Sequence, residues 1–178
     1  MYVDLPLVWF DAEFSGLNEQ NERVLEFACV ITDKDLNPLD SLGPIVIHQS
    51  DDLLKNMNDW NTNTHTASGL VDRVRNSTCT ESDAESLLLS FISKHCAKKE
   101  APLAGNSIHS DLKFLAKYFP AVHDYLHYRI LDVSTIKEIV VRRYPSLPKF
   151  VKKNKHRALD DVFNSIDELK YYYQHIFR

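Results

Sequence analysis

Residues 5–10 run LPLVWF and then turn abruptly acidic, whereas 23–32 read RVLEFACVIT, in which apolar residues are nearly continuous. Runs of this kind and length predict two strands, the second long and central in its sheet. Between them, SGLNEQNE supplies a glycine and two asparagines for a turn. GPIVIHQS at 43–50 predicts a third strand. The next stretch, 51–80, is polar around one isolated tryptophan and predicts at most a short helix or two.

From residue 82 the apolar period changes. Ser82 and Glu85 have the spacing of a capping box, and Ala84, Leu87, Leu88, Phe91 and Ile92 follow as one face of a helix reaching about 98. APLAGN at 101–106 predicts a short strand or turn. Leu112, Leu115, Ala116 and Phe119 predict a helix over 110–119, stopped by Pro120. RILDV at 129–133 predicts a strand, STIKEIVVRRY a helix, and 145–157 a loop dense in lysine and arginine. Ala158, Val162, Ile166, Leu169 and Tyr173 define the inner face of a long terminal helix. Strands first, then strands alternating with helices, predict an α/β fold with a mixed sheet.

A chain of 178 residues with 44% hydrophobic content suits one domain spanning 1–178 with a sizeable core. No apolar window has transmembrane length, and MYVDLPLVWFD lacks the basic region of a targeting peptide, so a cytoplasmic protein without a membrane partner is expected. Cys29, Cys79 and Cys96 form no CxxC pair and read as reduced, largely buried thiols. The net charge of -4 argues against a long nucleic-acid footprint, which would demand a surplus of bases. It leaves room for a short phosphate-bearing ligand if bound cations offset a cluster of carboxylates.

Such a cluster has candidate members. Asp11 and Glu13 would share one face of an extended strand, where they repel unless protonated or bridged by a cation. The plain alternative is that the strand has ended and both are solvated. Asp111 opens a helix, where the dipole alone would favour it. Asp160 and Asp161 compete near the start of the last helix; Asp161 has small neighbours, Ala158 and Ser165, whereas Asp160 lies toward the outer side. Oxygen ligands from separate elements suit Mg²⁺, which keeps several waters. His156, five residues before Asp161, has a pKa range suited to taking a proton from water.

DxE after the first strand, NSxxxD at a helix start and HxxxxD near the C-terminus resemble the DEDDh branch of 3′–5′ exonucleases. HQSDDLLKNMNDWNTNTHTASGLVDRV, PLAGNSIHSD, HYRILDVSTIKE and HRALDDVFNSIDELKYYYQHIF resemble, more narrowly, the oligoribonuclease family, in the family's order from residue 7 to 177. The resemblance implies an RNase H-like exonuclease fold, a mixed central sheet flanked by helices. It also implies a homodimer that cleaves very short single-stranded oligoribonucleotides, above all dinucleotides, to 5′-nucleoside monophosphates. Asp11, Glu13, Asp111 and Asp161 would hold two Mg²⁺ or Mn²⁺ ions per site, and His156 would be the general base.

The same resemblance implies that Leu17 and Trp60 hold the bases and that His65 belongs to the substrate site. Ser107, Arg129, Ser134 and Thr135 would gather the 5′ phosphate, and Tyr128 would close that pocket from the second subunit. Neighbours on extended backbone point oppositely, so Tyr128 and Arg129 need not serve one subunit. Two departures stand out. DAEFSG replaces the commoner DxEMTG through Phe14 and Ser15, and His109 stands where the family often has glycine, a second histidine near the site. The rival readings are a DEDDh nuclease of longer RNA or DNA and a non-catalytic RNA-binding protein on the same fold.

Overall fold

The computed structural model describes residues 4–152 and 157–177. Its five strands are β1 (Leu7–Phe14), β2 (Val24–Thr32), β3 (Pro38–Val46), β4 (Leu103–Gly105) and β5 (Ile130–Asp132), ordered β3-β2-β1-β4-β5. β1 pairs antiparallel with β2 and parallel with β4; β2–β3 is antiparallel and β4–β5 parallel. The mixed sheet expected from the sequence is therefore present, with helices on both faces.

Strand alternation sorts β1 between two cores. Val8 and Phe10 face a cluster with Phe27, Cys29 and Ile31 of β2, covered by α4 (Glu81–His95), α5 (His109–Tyr118) and α6 (Pro120–Tyr125). Leu7 and Trp9 face the opposite cluster with Ala28 and Val30, covered by α7 (Val133–Arg143) and α8 (Ala158–His175). All nine residues of β2 are buried, as its continuous apolar run demands. The one indole donor so enclosed is satisfied, Trp9 Nε1 donating to Thr32 Oγ1 at 2.9 Å.

Several boundaries differ from expectation. β1 continues through Asp11 and Glu13 to Phe14, so these acids stand on the sheet and have not passed into a solvated loop. β3 begins at Pro38 and stops at Val46; at the sheet edge its first four residues, PLDS, are exposed, which hid the start of the strand from an apolar-run reading. The 51–80 stretch holds three short helices, α1 (Asp51–Lys55), α2 (Asp59–Ala67) and α3 (Leu70–Asn76). The capping box at α4 uses Thr80 and Asp83, not Ser82 and Glu85; Glu85 instead accepts from the Ala121 N–H at 2.6 Å. Leu87 is exposed because the buried stripe runs through Ala84, Leu88, Phe91 and Ile92.

On α5 the buried residues are Asp111, Phe114 and Leu115, and Ala116 is exposed. Pro120 both ends that helix and, with its fixed φ, opens α6, a helix the sequence reading lacked. On α8, Tyr172 is buried and Tyr173 is exposed. Cys29 and Cys96 are buried and Cys79 half-buried, all three free. Among the described residues no helix is long and apolar enough to cross a membrane.

Candidate active site

The period that places Trp9 against α8 also places Asp11 and Glu13 on that face of β1, where the apolar run ends. Asp161 lies in the first turn of α8 and completes a convergence: Asp11, Glu13 and Asp161 each offer a carboxylate oxygen, and these oxygens lie within 4.8 Å of one another. The small residues beside Asp161 allow the approach, since Ala158 and Ser165 are buried and Ser165 Oγ donates to the Asp161 carbonyl at 3.0 Å. Asp160, half-buried, is outside this group.

Asp111 enters from the other side. It lies in the first turn of α5 and is 6% exposed, and its Oδ1 has no hydrogen-bond partner among the described residues. A buried oxygen left in this way costs roughly 1–3 kcal/mol, more when charged. Asp111 is not part of the close group of three, yet its charge bears directly on Asp11.

Burial, then repulsion from Asp111, Asp161 and Glu13, raises the Asp11 pKa well above the usual carboxylate range; Lys152 opposes this. Burial, Asp161 and Glu26 push Glu13 up to about 7, with Arg73 pulling the other way. Burial pushes Asp111 up to about 8 against the lowering effect of the Asp111 and Ala12 backbone amides. Three carboxyls that resist ionisation beside the charge of Asp161, one of them with an orphaned oxygen, fit a hard divalent cation as the missing counter-charge.

Next to Glu13 stands a pair that sequence reasoning missed. Glu26, 1% exposed, sits directly opposite Glu13 on β2 and forms an ion pair with Arg73 of α3. The signal was available: one glutamate inside VLEFACVIT, an otherwise apolar buried strand, requires a cationic partner. His65 belongs to the same corner, but it is buried, its Nε2 donating to the Phe14 carbonyl at 2.9 Å. Burial lowers its pKa, and the ring ties α2 to the end of β1.

The residues expected to meet bases are open. Leu17, in the β1–β2 turn, is 84% exposed, and Trp60, in the first turn of α2, is 70% exposed. A second polar cluster forms where β4 and β5 end. Ser107 adopts a left-handed φ of 51°, and its N–H donates to Asp132 Oδ1 and Ser134 Oγ, both at 2.9 Å. Asp132 also caps α7 through the Ser134 N–H at 2.9 Å, and His109 Nδ1 lies 3.3 Å from its other oxygen. Thr135 is exposed in the same hollow as His109 and Asp132, and Arg129 is exposed just before β5. The sequence places Asp132 in a strand and Asn106 at the end of a short strand or turn, opening NSxxxD, and assigns neither a role in the site; both organise this cluster.

Tyr128 is 76% exposed, but it and Arg129 precede β5 and do not alternate as strand neighbours. The Arg129 guanidinium carbon lies 5.2 Å from the Tyr128 ring centre. His156 lies outside the described residues.

Comparison with known proteins gives a consistent picture. The family model described as exonuclease matches residues 8–169. The chain is 46% identical over 173 residues to a Chromobacterium violaceum protein named oligoribonuclease, covering 97% of this chain and 96% of that one. It is 51% identical over 171 residues to the oligoribonuclease of Pasteurella multocida, covering 95% and 92%. Among solved structures, E. coli exonuclease I in complex with an oligonucleotide aligns with a TM-score of 0.77 at 16% identity, covering 97% of this chain. This chain spans 41% of that protein's length, and the likeness is one of fold, RNase H-like.

Proposed function

The chain belongs to the exonuclease family and, within it, to the oligoribonucleases, and on that premise we propose that it is a 3′–5′ exoribonuclease whose preferred substrates are dinucleotides. The supporting observation is the convergence of Asp11, Glu13 and Asp161 beside the unpartnered oxygen of Asp111. These acids would hold two ions, Mg²⁺ or Mn²⁺. Bound there, the cations supply Lewis-acid charge that makes water a usable nucleophile near neutral pH and stabilises the departing 3′ oxygen.

The chain's own groups do the rest. Leu17 and Trp60 present apolar surface on which bases of any identity stack. Ser107, Ser134, Thr135 and Arg129 hold the 5′ phosphate, Arg129 with a planar fork suited to phosphate oxygens. His65 fixes the end of β1 and with it the backbone beside Glu13. His156, by family resemblance, takes the proton of the attacking water. The water oxygen bonds to phosphorus, the bond from phosphorus to the 3′ oxygen breaks, that oxygen takes up a proton to become a 3′ hydroxyl, and the terminal nucleotide is released as a 5′-nucleoside monophosphate.

A phosphate pocket at a fixed distance from the cleaved bond favours the shortest chains. The single exonuclease domain spans 1–178, and the working unit is a homodimer in which Tyr128, exposed beside the open edge strand β5, closes the partner's pocket.

The test is a length series of single-stranded oligoribonucleotides with and without chelator, using wild type, Asp161→Asn, Asp160→Asn and His156→Ala. Metal-dependent release of mononucleotides, fastest on dinucleotides, is expected; Asp161→Asn should be inactive, Asp160→Asn active, and His156→Ala impaired in kcat. Equal turnover of long and short chains would instead favour a general exonuclease, and no turnover of any substrate would favour a binding protein.

A further inference from the structure

β4 ends at Gly105, where an added Cβ would stand 2.8 Å from the Phe10 carbonyl, so β4 lies tight against β1 just before Asp11. The next residue, Asn106, spans two helices with its side chain. Its Nδ2 donates to Ser165 Oγ at 2.9 Å and to Glu168 Oε2 at 3.1 Å, both on α8. Its Oδ1 accepts from Ser134 Oγ on α7 at 3.1 Å. Chemistry fixes the orientation of this amide, because an ionised Glu168 can only accept.

Glu168 is wholly buried and fully engaged. Its Oε1 accepts from Tyr172 OH at 2.8 Å and lies 3.3 Å from Nζ of Lys137, one turn after Ser134 on α7. A buried polar network satisfied in this way is rigid. Ser165, in turn, gives its proton to the carbonyl of Asp161. Hydrogen bonds thus run from the peptide of Asp161 through Ser165, Asn106 and Ser134 to the N–H of Ser107.

We propose that Asn106 is a positioning residue that sets substrate length. Its amide bonds to Ser165 and Glu168 on one side and to Ser134 on the other, and so holds the serines of the phosphate corner at a fixed offset from the helix carrying Asp161. The proposal rests on reading Ser107 and Ser134 as ligands of the 5′ phosphate. A dinucleotide carrying that phosphate must reach both ends of the site at once, so a loosened offset penalises it most. A pentanucleotide, or a dinucleotide with a 5′ hydroxyl, does not bridge the two ends and is less sensitive.

kcat and KM are to be measured on these three substrates for wild type, Asn106→Ala and Ser165→Ala, together with thermal melting. Asn106→Ala should lower kcat/KM on the phosphorylated dinucleotide about tenfold, chiefly through KM, and about twofold or less on the other two. Ser165→Ala, which leaves the bond to Glu168, should shift the same preference about threefold. Equal losses on all three substrates, or an unchanged preference, overturn the proposal. If Asn106→Ala does not fold, Ser165→Ala decides alone. A wild-type enzyme indifferent to the 5′ phosphate would refute the phosphate-corner reading itself, and this proposal with it, whatever the variants do.

Discussion

Glu13 on β1 stands directly opposite Glu26 on β2, and the guanidinium of Arg73 from α3 closes on Glu26. Two acids facing each other across an antiparallel pair are destabilising unless compensated. Arg73 provides that compensation and leaves the Glu13 carboxyl to the acidic group it forms with Asp11 and Asp161.

Removing the arginine should therefore strand a buried charge. Fully buried pairs broken from one side lose about 3–5 kcal/mol, and the partial exposure of Arg73 reduces the expectation for Arg73→Ala to about 2 kcal/mol. In a Glu26→Gln background the same substitution should cost under about 1 kcal/mol, since no unpaired charge remains. Denaturant unfolding of the four proteins checks this. Equal losses in both backgrounds would mean that Arg73 contributes through packing alone.

The carboxylate cluster makes metal-free stability depend on pH in an unusual direction. Glu13 and Asp111 titrate at about 7 and about 8 in the folded chain, against ordinary values of 4.5 and 3.8. Between those limits the folded protein keeps protons that the unfolded chain has released. Each acid's favourable contribution is therefore full below its ordinary value and lost as pH rises through its folded value. The chelator-treated protein should melt several degrees lower at about pH 8 than at about pH 5.5. Added Mn²⁺ should raise the melting temperature more at the higher pH, where it no longer competes with protons. An apo melting temperature that climbs over this interval would contradict the cluster's electrostatics.

Much of this was legible in the chain because it follows from periods. Alternation along LVWFDAEF orders Trp9, Asp11 and Glu13 on one face, whereas on the last helix the period left Asp160 and Asp161 in competition and the family resemblance favoured Asp161. What stayed hidden is whatever depends on partners distant in sequence. β3 lies at an edge, so its first four residues, PLDS, are exposed and its start was invisible to an apolar-run reading. Thr80 caps α4 because its hydroxyl meets the Asp83 N–H, and Ser82 with Glu85 shows the same spacing without the contact. The environment of His65 likewise comes from packing, since nothing in NTNTHT announces a ring buried against the Phe14 carbonyl.

Trp60 offers a test of base stacking that leaves the fold alone. At 70% exposure it contributes little to the core, so Trp60→Ala should unfold within about 0.5 kcal/mol of wild type. Loss of one stacking surface costs about 1–3 kcal/mol, which predicts a KM raised roughly 5- to 150-fold with kcat nearly kept. Trp60→Phe should recover most of the affinity. A Trp60→Ala protein with unaltered KM would place the bases elsewhere.

The dimer reading turns on Tyr128, whose ring stacks on His127 at 4.5 Å, lies under the Arg129 guanidinium and remains 76% exposed. A tyrosine so open is available to a second subunit, and twofold symmetry would repeat the contact in both pockets. Mixing Tyr128→Ala chains with Asp11→Asn chains discriminates between action within and across subunits. Either parent alone should be weak, because every pocket carries one lesion. In a mixed dimer, the pocket built on the Asp11→Asn chain receives the altered Tyr128 and carries both lesions. The other pocket pairs an intact acid cluster with an intact tyrosine. Exchange should therefore restore activity toward half the wild-type level per dimer. Absence of recovery in verified heterodimers would confine Tyr128 to its own subunit, and full turnover per chain in a proven monomer would remove the need for a partner.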